Sequence, residues 1–196
     1  MRSKLGLWVL ILGVAISVAG CASPPKETID SAKASLDQAV AAGAGEYASE
    51  SLTAAQDAQA ALDAELQAQD GQWVKSYTKA TELATAAKTA ADKAVADAAT
   101  GKERTKTEAT AAIGDAKTVL ADAQALLAKA PKGKGSAADI EAMKTDLTNA
   151  ATSIADAETA LNGERFLDAK AKAESAKTAA TTVKTAVETA TAAKKR

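Results

Sequence analysis

The residues of this chain that could do chemistry are few in kind. Cys21 is the only thiol and there is no histidine; the other reactive groups are 24 Lys and Arg against 25 Asp and Glu. Without imidazole, the usual general base and the usual metal ligand are both missing, so a Ser-His-Asp arrangement and a Cys/His zinc set are excluded. Carboxylates alone could serve a glycosidase or hold calcium, but such sites need several acids converging on one point. Here the acids alternate with lysines, as in "DAKAKAESAK" at residues 168–177, which is the pattern of a solvated helix surface. The segment "PKGKGS" at 131–136 lacks the Gly-Lys-Ser/Thr order of a phosphate loop and follows no strand pattern, so it reads as a plain loop. No residue set calls for a catalytic centre, a cofactor or a metal. Bulk collects in one place: Trp73, with Tyr77 one helical turn later and Tyr47 near the preceding loop. These three read as a plug for the end of a helix bundle or as a docking patch for a hydrophobic or peptide ligand.

The setting of Cys21 is more informative. Arg2 and Lys4 precede sixteen uncharged positions, Leu5 to Gly20, which end in small residues. Positive end, apolar run and small residues are the layout of a secretory signal over residues 1–20. Crossing a bilayer takes about twenty apolar residues, so cleavage suits this run better than a membrane span does. The stretch "VAGC", Val18 to Cys21, resembles the lipobox of bacterial lipoproteins. That resemblance implies diacylglycerol on the Cys21 sulfur, cleavage between Gly20 and Cys21, and acylation of the new amine with a fatty acid such as palmitate. Each buried methylene contributes about 0.8 kcal/mol and two chains suffice for stable anchoring, so the mature chain would be held at a membrane through Cys21. Residues 21–26, with Pro24 and Pro25, form a stiff tether. Ala22 stands where the lipoprotein sorting pattern places aspartate for inner-membrane retention, so the resemblance implies the outer membrane, facing the periplasm.

Losing Arg2 and Lys4 with the signal leaves 22 basic against 25 acidic residues, a formal charge of −3, which excludes a nucleic-acid binder. The mature aromatics are only Tyr47, Trp73, Tyr77 and Phe166. Alanine dominates, the strongest helix former, and strand-forming residues are scarce. The fold class is all-α.

The chain also repeats itself. "IDSAKASLDQA" at 29–39 matches "IGDAKTVLADA" at 113–123 with a shift of 84 residues, and "LDAELQAQDGQWVKSYTKATELA" from Leu62 matches "IADAETALNGERFLDAKAKAESA" from Ile154 with a shift of 92. The extra eight residues lie between the blocks, near "KAPKGKGS", where a loop insertion is tolerated. Each copy reads as three helices with apolar steps of three and four, the heptad seam of left-handed packing. In the second copy the seams run Ala109 to Ala130, Ile140 to Leu161, and Phe166 to Ala190; the first copy is looser. Gly43, Gly45, Gly71 and Gly163 are expected to supply positive-φ helix ends, and Ser136 with Asp139 a capping box. The expected architecture is two tandem three-helix, coiled-coil-like, Ala-rich bundles, at 27–99 and 109–196, with a polar helical connector at 100–108. One long shared helix from about Gln72 to Ala130, roughly 90 Å, would join them. Thr100 to Glu108 offers no apolar stripe, so the connector is expected to stand in water.

Behind its lipobox, with "AGEYASESLTAAQDAQAALDAE" and "DGQWVKSYTKATELA", the chain resembles a family of small outer-membrane-type bacterial lipoproteins designated domain of unknown function 4398. In that family an acylated cysteine precedes Ala-rich helices with a Gly-x-aromatic turn, here Gly71 and Trp73; the resemblance covers about Pro25 to Ala99 and implies architecture and location, not a mechanism. The tail "AAKKR" is similar to the basic end of the major outer-membrane lipoprotein, whose last lysine is joined to peptidoglycan; here Arg196 is last. The expected function is that of a non-enzymatic, membrane-anchored envelope lipoprotein. It would act as a helical spacer, scaffold or interaction module, with an envelope protein or peptidoglycan as partner. The alternative is a binding module for a hydrophobic or peptide ligand around Trp73 and Tyr77.

Overall fold

A computed structural model of the chain describes residues 23–130 and 137–194. Among them are six helices and no strand: α1 (Lys26–Ala41), α2 (Ala44–Tyr47), α3 (Ser49–Asp70), α4 (Thr78–Ala128), α5 (Ala137–Asn162) and α6 (Phe166–Lys194). The fold is all-α, as the alanine content requires. The chain divides into two units, residues 1–98 and 99–196.

In the first unit, α1, α3 and the start of α4 share a core of Ile29, Leu62, Tyr77, Ala80 and Ala84. Further along, Ala39, Ala44, Ala94 and Ala98 pack together, with Ala48 and Leu52 against them. The order of these contacts makes α1 and α4 parallel and α3 antiparallel to both. Alanine makes the close approach possible. A buried methyl contributes only about 0.8 kcal/mol, however, and among the described residues Leu62 is the only large side chain that is fully buried.

The second unit packs Ile113 and Ala116 of α4 with Ala150, Ile154 and Ala157 of α5 and Ala173 and Ala176 of α6. Ala123, Leu127, Leu147, Ala180, Val183 and Val187 extend this core. Outside it, ion pairs join α4 to α6: Glu108 to Lys170 (2.7 Å), Asp115 to Lys177 (2.8 Å) and Asp122 to Lys184 (3.1 Å). The partners are always 62 residues apart and recur every seven, so α4 and α6 run parallel and in register.

The expected helix from Gln72 starts at Thr78 instead. The amide of Ser76 donates to Gln69 Oε1 (2.9 Å) and that of Gln72 to the Gln69 carbonyl (3.1 Å), so residue 69 ties down a non-helical loop. Beyond it, α4 continues for 51 residues through Gly101 and Gly114. The stretch expected to stand in water is not bare. Gly101 and Thr105 are buried, continuing the stripe Ala91, Ala94, Ala98. The Thr105 hydroxyl donates to the Gly101 carbonyl (2.9 Å), which satisfies it and leaves its methyl as the apolar member. Counting sevens from Tyr77 gives Ala84, Ala91, Ala98 and Thr105; the stripe then resumes from Ala109 to Ala116 and Ala123. The step from 105 to 109 is a four-residue stutter, which locally unwinds a left-handed seam.

Two helix ends differ from expectation. Gly43 does adopt a left-handed conformation, φ 79°, closing α1. Gly71, with φ −82°, does not. At the end of α5 the positive φ falls on Glu164 (58°), not on Gly163. The Arg165 amide donates to the Ala160 carbonyl (2.9 Å) and the Glu164 amide to that of Leu161 (3.1 Å). This is a Schellman end whose left-handed position lies one residue after the glycine. Ser136, expected as a cap, lies outside the described residues, as do Gly20, Cys21 and the rest of the signal.

Candidate functional site

The loop between α3 and α4, residues 71–77, carries the most exposed bulk among the described residues. Trp73 is 100% exposed and Val74 79%, while Tyr77, closing the loop, is 8% exposed and lies in the core with Ile29 and Leu62. The loop is held. Besides the two bonds to Gln69, Lys75 pairs with Asp70 (3.4 Å), and Gln69 Nε2 donates to Glu65 (2.8 Å), which also pairs with Lys79 (2.9 Å). Hydrogen bonds from Lys79 and then Gln69 hold the Glu65 carboxyl below the usual range.

The structure therefore separates the three aromatic residues that the sequence grouped. Trp73 faces solvent and Tyr77 plugs the core. Tyr47 is half-buried on α2, beside Ala44 and Ala48, which pack near Ala94 and Ala98 at the opposite end of the unit. They form no common patch. Trp73 and Tyr77 were expected one turn apart on one helical face, but the loop starts α4 too late for that. Val74, which sequence reasoning left out of the site, is exposed beside Trp73 in place of Tyr77.

The second copy arranges this turn differently. Phe166, the counterpart of Val74 by sequence, is the first residue of α6 and is buried; Lys102 and Lys106 lie 5.7 and 6.0 Å from its ring centre. Lys102 also pairs with Glu164 (2.8 Å). One copy seats its turn aromatic under cations, and the other exposes tryptophan and valine.

Four further carboxylates are tied to neighbouring side chains. Hydrogen bonds from Lys88 and then Ser35 lower the Asp92 carboxyl, and those from Lys93 and then Ser51 lower Asp97. Lys170 lowers Glu108 and is itself raised by it; Lys102 lowers Glu164. Each of these carboxylates is in contact with a lysine. Among the described residues no cluster of three or more acids and cysteines is disposed to hold a metal, and no helix is long and apolar enough to cross a membrane. A surface hollow between α4 and α5 is lined by Gln124, Leu127, Lys144 and Leu147, none of them aromatic.

One polar feature of the core was missed. Gln59 on α3 is 8% exposed; its Nε2 donates to Asp63 (3.0 Å), but its buried Oε1 accepts from no protein donor. Ser35 on α1 is a second buried polar residue of the first unit. No protein-family model, curated protein or solved structure matches the chain.

Proposed function

We propose that the chain is a non-enzymatic lipoprotein of the bacterial cell envelope, held at the outer membrane by acyl groups on Cys21, whose helical units serve as a spacer or scaffold. The observation that carries the reading is the "VAGC" motif ending an uncharged run of sixteen residues, placed five residues before the first helix. Helices packed through alanine support the scaffold role. Such a core is thin and depends on helix propensity and length, and ion pairs occupy its surface. The partners of this reading are the membrane through Cys21 and an envelope protein or peptidoglycan. Labelled palmitate fed to expressing cells is expected to enter the wild-type chain and not Cys21→Ser, which accumulates as the uncleaved precursor. A mature N-terminus other than Cys21, read by mass spectrometry, would defeat the anchoring. Enzymatic turnover abolished by a single carboxylate substitution would defeat the scaffold role.

A further inference from the structure

We infer that the Trp73–Val74 loop is a second membrane contact, inserted into the headgroup region of the bilayer that holds the lipid anchor. The inference rests on the anchoring reading just proposed.

Three observations combine. First, the loop offers a fully exposed tryptophan beside a 79% exposed valine. Its backbone is fixed by Gln69, and its one lysine, Lys75, is paired with Asp70. A held loop presents these side chains at little further ordering cost, and tryptophan favours the membrane interface over either water or hydrocarbon.

Second, the loop lies at the end of the first unit where the tether enters. Ile29, in the first turn of α1, packs in one cluster with Tyr77 and Ala80, which flank the loop on its α4 side. Third, the tether is short. Cys21 precedes Lys26, the first residue of α1, by five residues, which span at most about 17 Å when extended. Trp73 is likewise four residues from Tyr77, a reach of about 14 Å at most. With acyl chains seated in the bilayer, the end of the unit bearing Trp73 is kept within a tether's length of the headgroups.

The duplication supplies a control. The corresponding turn of the second copy, which carries no tether, buries Phe166 under Lys102 and Lys106 and exposes no tryptophan.

The chain contains its own probe. Its two tryptophans are Trp8, in the signal, and Trp73, so the mature protein has Trp73 alone. The acylated mature protein is reconstituted into phosphatidylethanolamine–phosphatidylglycerol vesicles whose acyl chains carry bromine near the headgroup, and Trp73 fluorescence is recorded. The expected result is a blue-shifted emission quenched by about twofold relative to unbrominated vesicles. Val74→Asp is expected to reduce the quenching by at least about half, with acylation by mass spectrometry and helix content by circular dichroism unchanged. Acylated, vesicle-bound protein with red, unquenched emission overturns the insertion and leaves the anchor standing. So does unquenched Trp73 that crosslinks to an envelope protein, which would make the loop a protein-docking site. A mature chain bearing no acyl group overturns the anchor, and the placement of the loop falls with it.

Discussion

The same substitution, glycine to alanine, should have opposite effects at Gly114 and Gly43, and the pair tests two separate features of the fold. Gly114 lies inside α4, and a β-carbon built there meets no atom within 4 Å. The Thr118 hydroxyl donates to its carbonyl, a backbone group that the substitution leaves in place. Alanine adds no contact and removes only the excess freedom of the unfolded chain, so the gain is the difference in helix propensity, about 0.8–1 kcal/mol. At Gly43 the backbone has φ 79°, and a β-carbon would lie 3.4 Å from Tyr47 Cδ2. A left-handed alanine costs about 1–2 kcal/mol, and the Tyr47 ring, at contact distance, need not move. In a unit of this size 1 kcal/mol moves the melting midpoint by about 4–8 °C. Thermal and urea unfolding of the mature chain by circular dichroism should show Gly114→Ala raised by about that amount and Gly43→Ala lowered by as much or more. The urea dependence should stay unchanged. A destabilised Gly114→Ala would mean that α4 is not helical at that point. A neutral Gly43→Ala would mean that α1 does not end in a left-handed residue.

Gln59→Met removes the buried oxygen that lacks a donor, worth about 1–3 kcal/mol, at the expense of one partly exposed hydrogen bond of about 1 kcal/mol. The urea midpoint should rise, and a fall would show that Oε1 is satisfied by bound water. Leu62→Ala should cost about 3 kcal/mol in the same assay, and a loss below about 1 kcal/mol would show that the alanine seams alone hold the first unit. Glu65, Asp92, Asp97, Glu108 and Glu164 all have carboxyls lowered by lysine or hydroxyl partners. Their contribution is complete above the carboxyl range of the unfolded chain and is lost as pH falls through the lower folded values. The melting midpoint should therefore stay level from neutral pH to about 5 and fall below about 4. The fall should be shallower in Glu108→Gln with Lys170→Met, and an identical acid profile in that variant would dismiss the pair as a contributor.

Much of the core was legible because alanine and leucine mark the seam directly. Ile29, Ala32 and Ala39, buried in the first copy, correspond at a shift of 84 to Ile113, Ala116 and Ala123, buried in the second. The buried faces of α5 and α6 likewise follow the steps read from sequence, with Leu147, Ala150, Ile154 and Ala157 on one and Phe166, Ala169, Ala173 and Ala176 on the other. Periodicity failed where a small residue stood in for an apolar one. Gly101 and Thr105 continue the stripe, yet neither counts as hydrophobic by type. The loop at 71–77 was hidden because its hold comes from one side chain, Gln69, capturing the Ser76 amide, which no propensity scale registers. Glu164 was hidden by its neighbour, since glycine is the usual left-handed residue and Gly163 was present. The ion-pair ladder could have been found: Glu108, Asp115 and Asp122 recur by sevens, as do Lys170, Lys177 and Lys184.

That ladder does what an alanine seam does poorly. Alanine packed on alanine looks much the same after a slide of three or four residues, so methyl burial alone fixes register weakly. Exposed pairs of this kind add little stability, but their sign depends on register. If α6 slid so that each acid of α4 met the residue four further along, Glu108 would face Glu174, Asp115 would face Thr181, and Asp122 would face Glu188. Three attractions would become two repulsions and one neutral contact. A slide of four the other way would set Phe166, Ala173 and Ala180 against the same three acids, leaving every charge unpaired. Among its described residues the first unit has no such ladder and fixes its register differently. The Ser51 hydroxyl donates to Asp97 across α3 and α4, Ser35 of α1 reaches Asp92, and Lys79 of α4 pairs with Glu65 of α3. In both units the apolar residues supply a generic attraction between helices, and the polar contacts at the edge of the seam select one alignment from several that the alanines would accept.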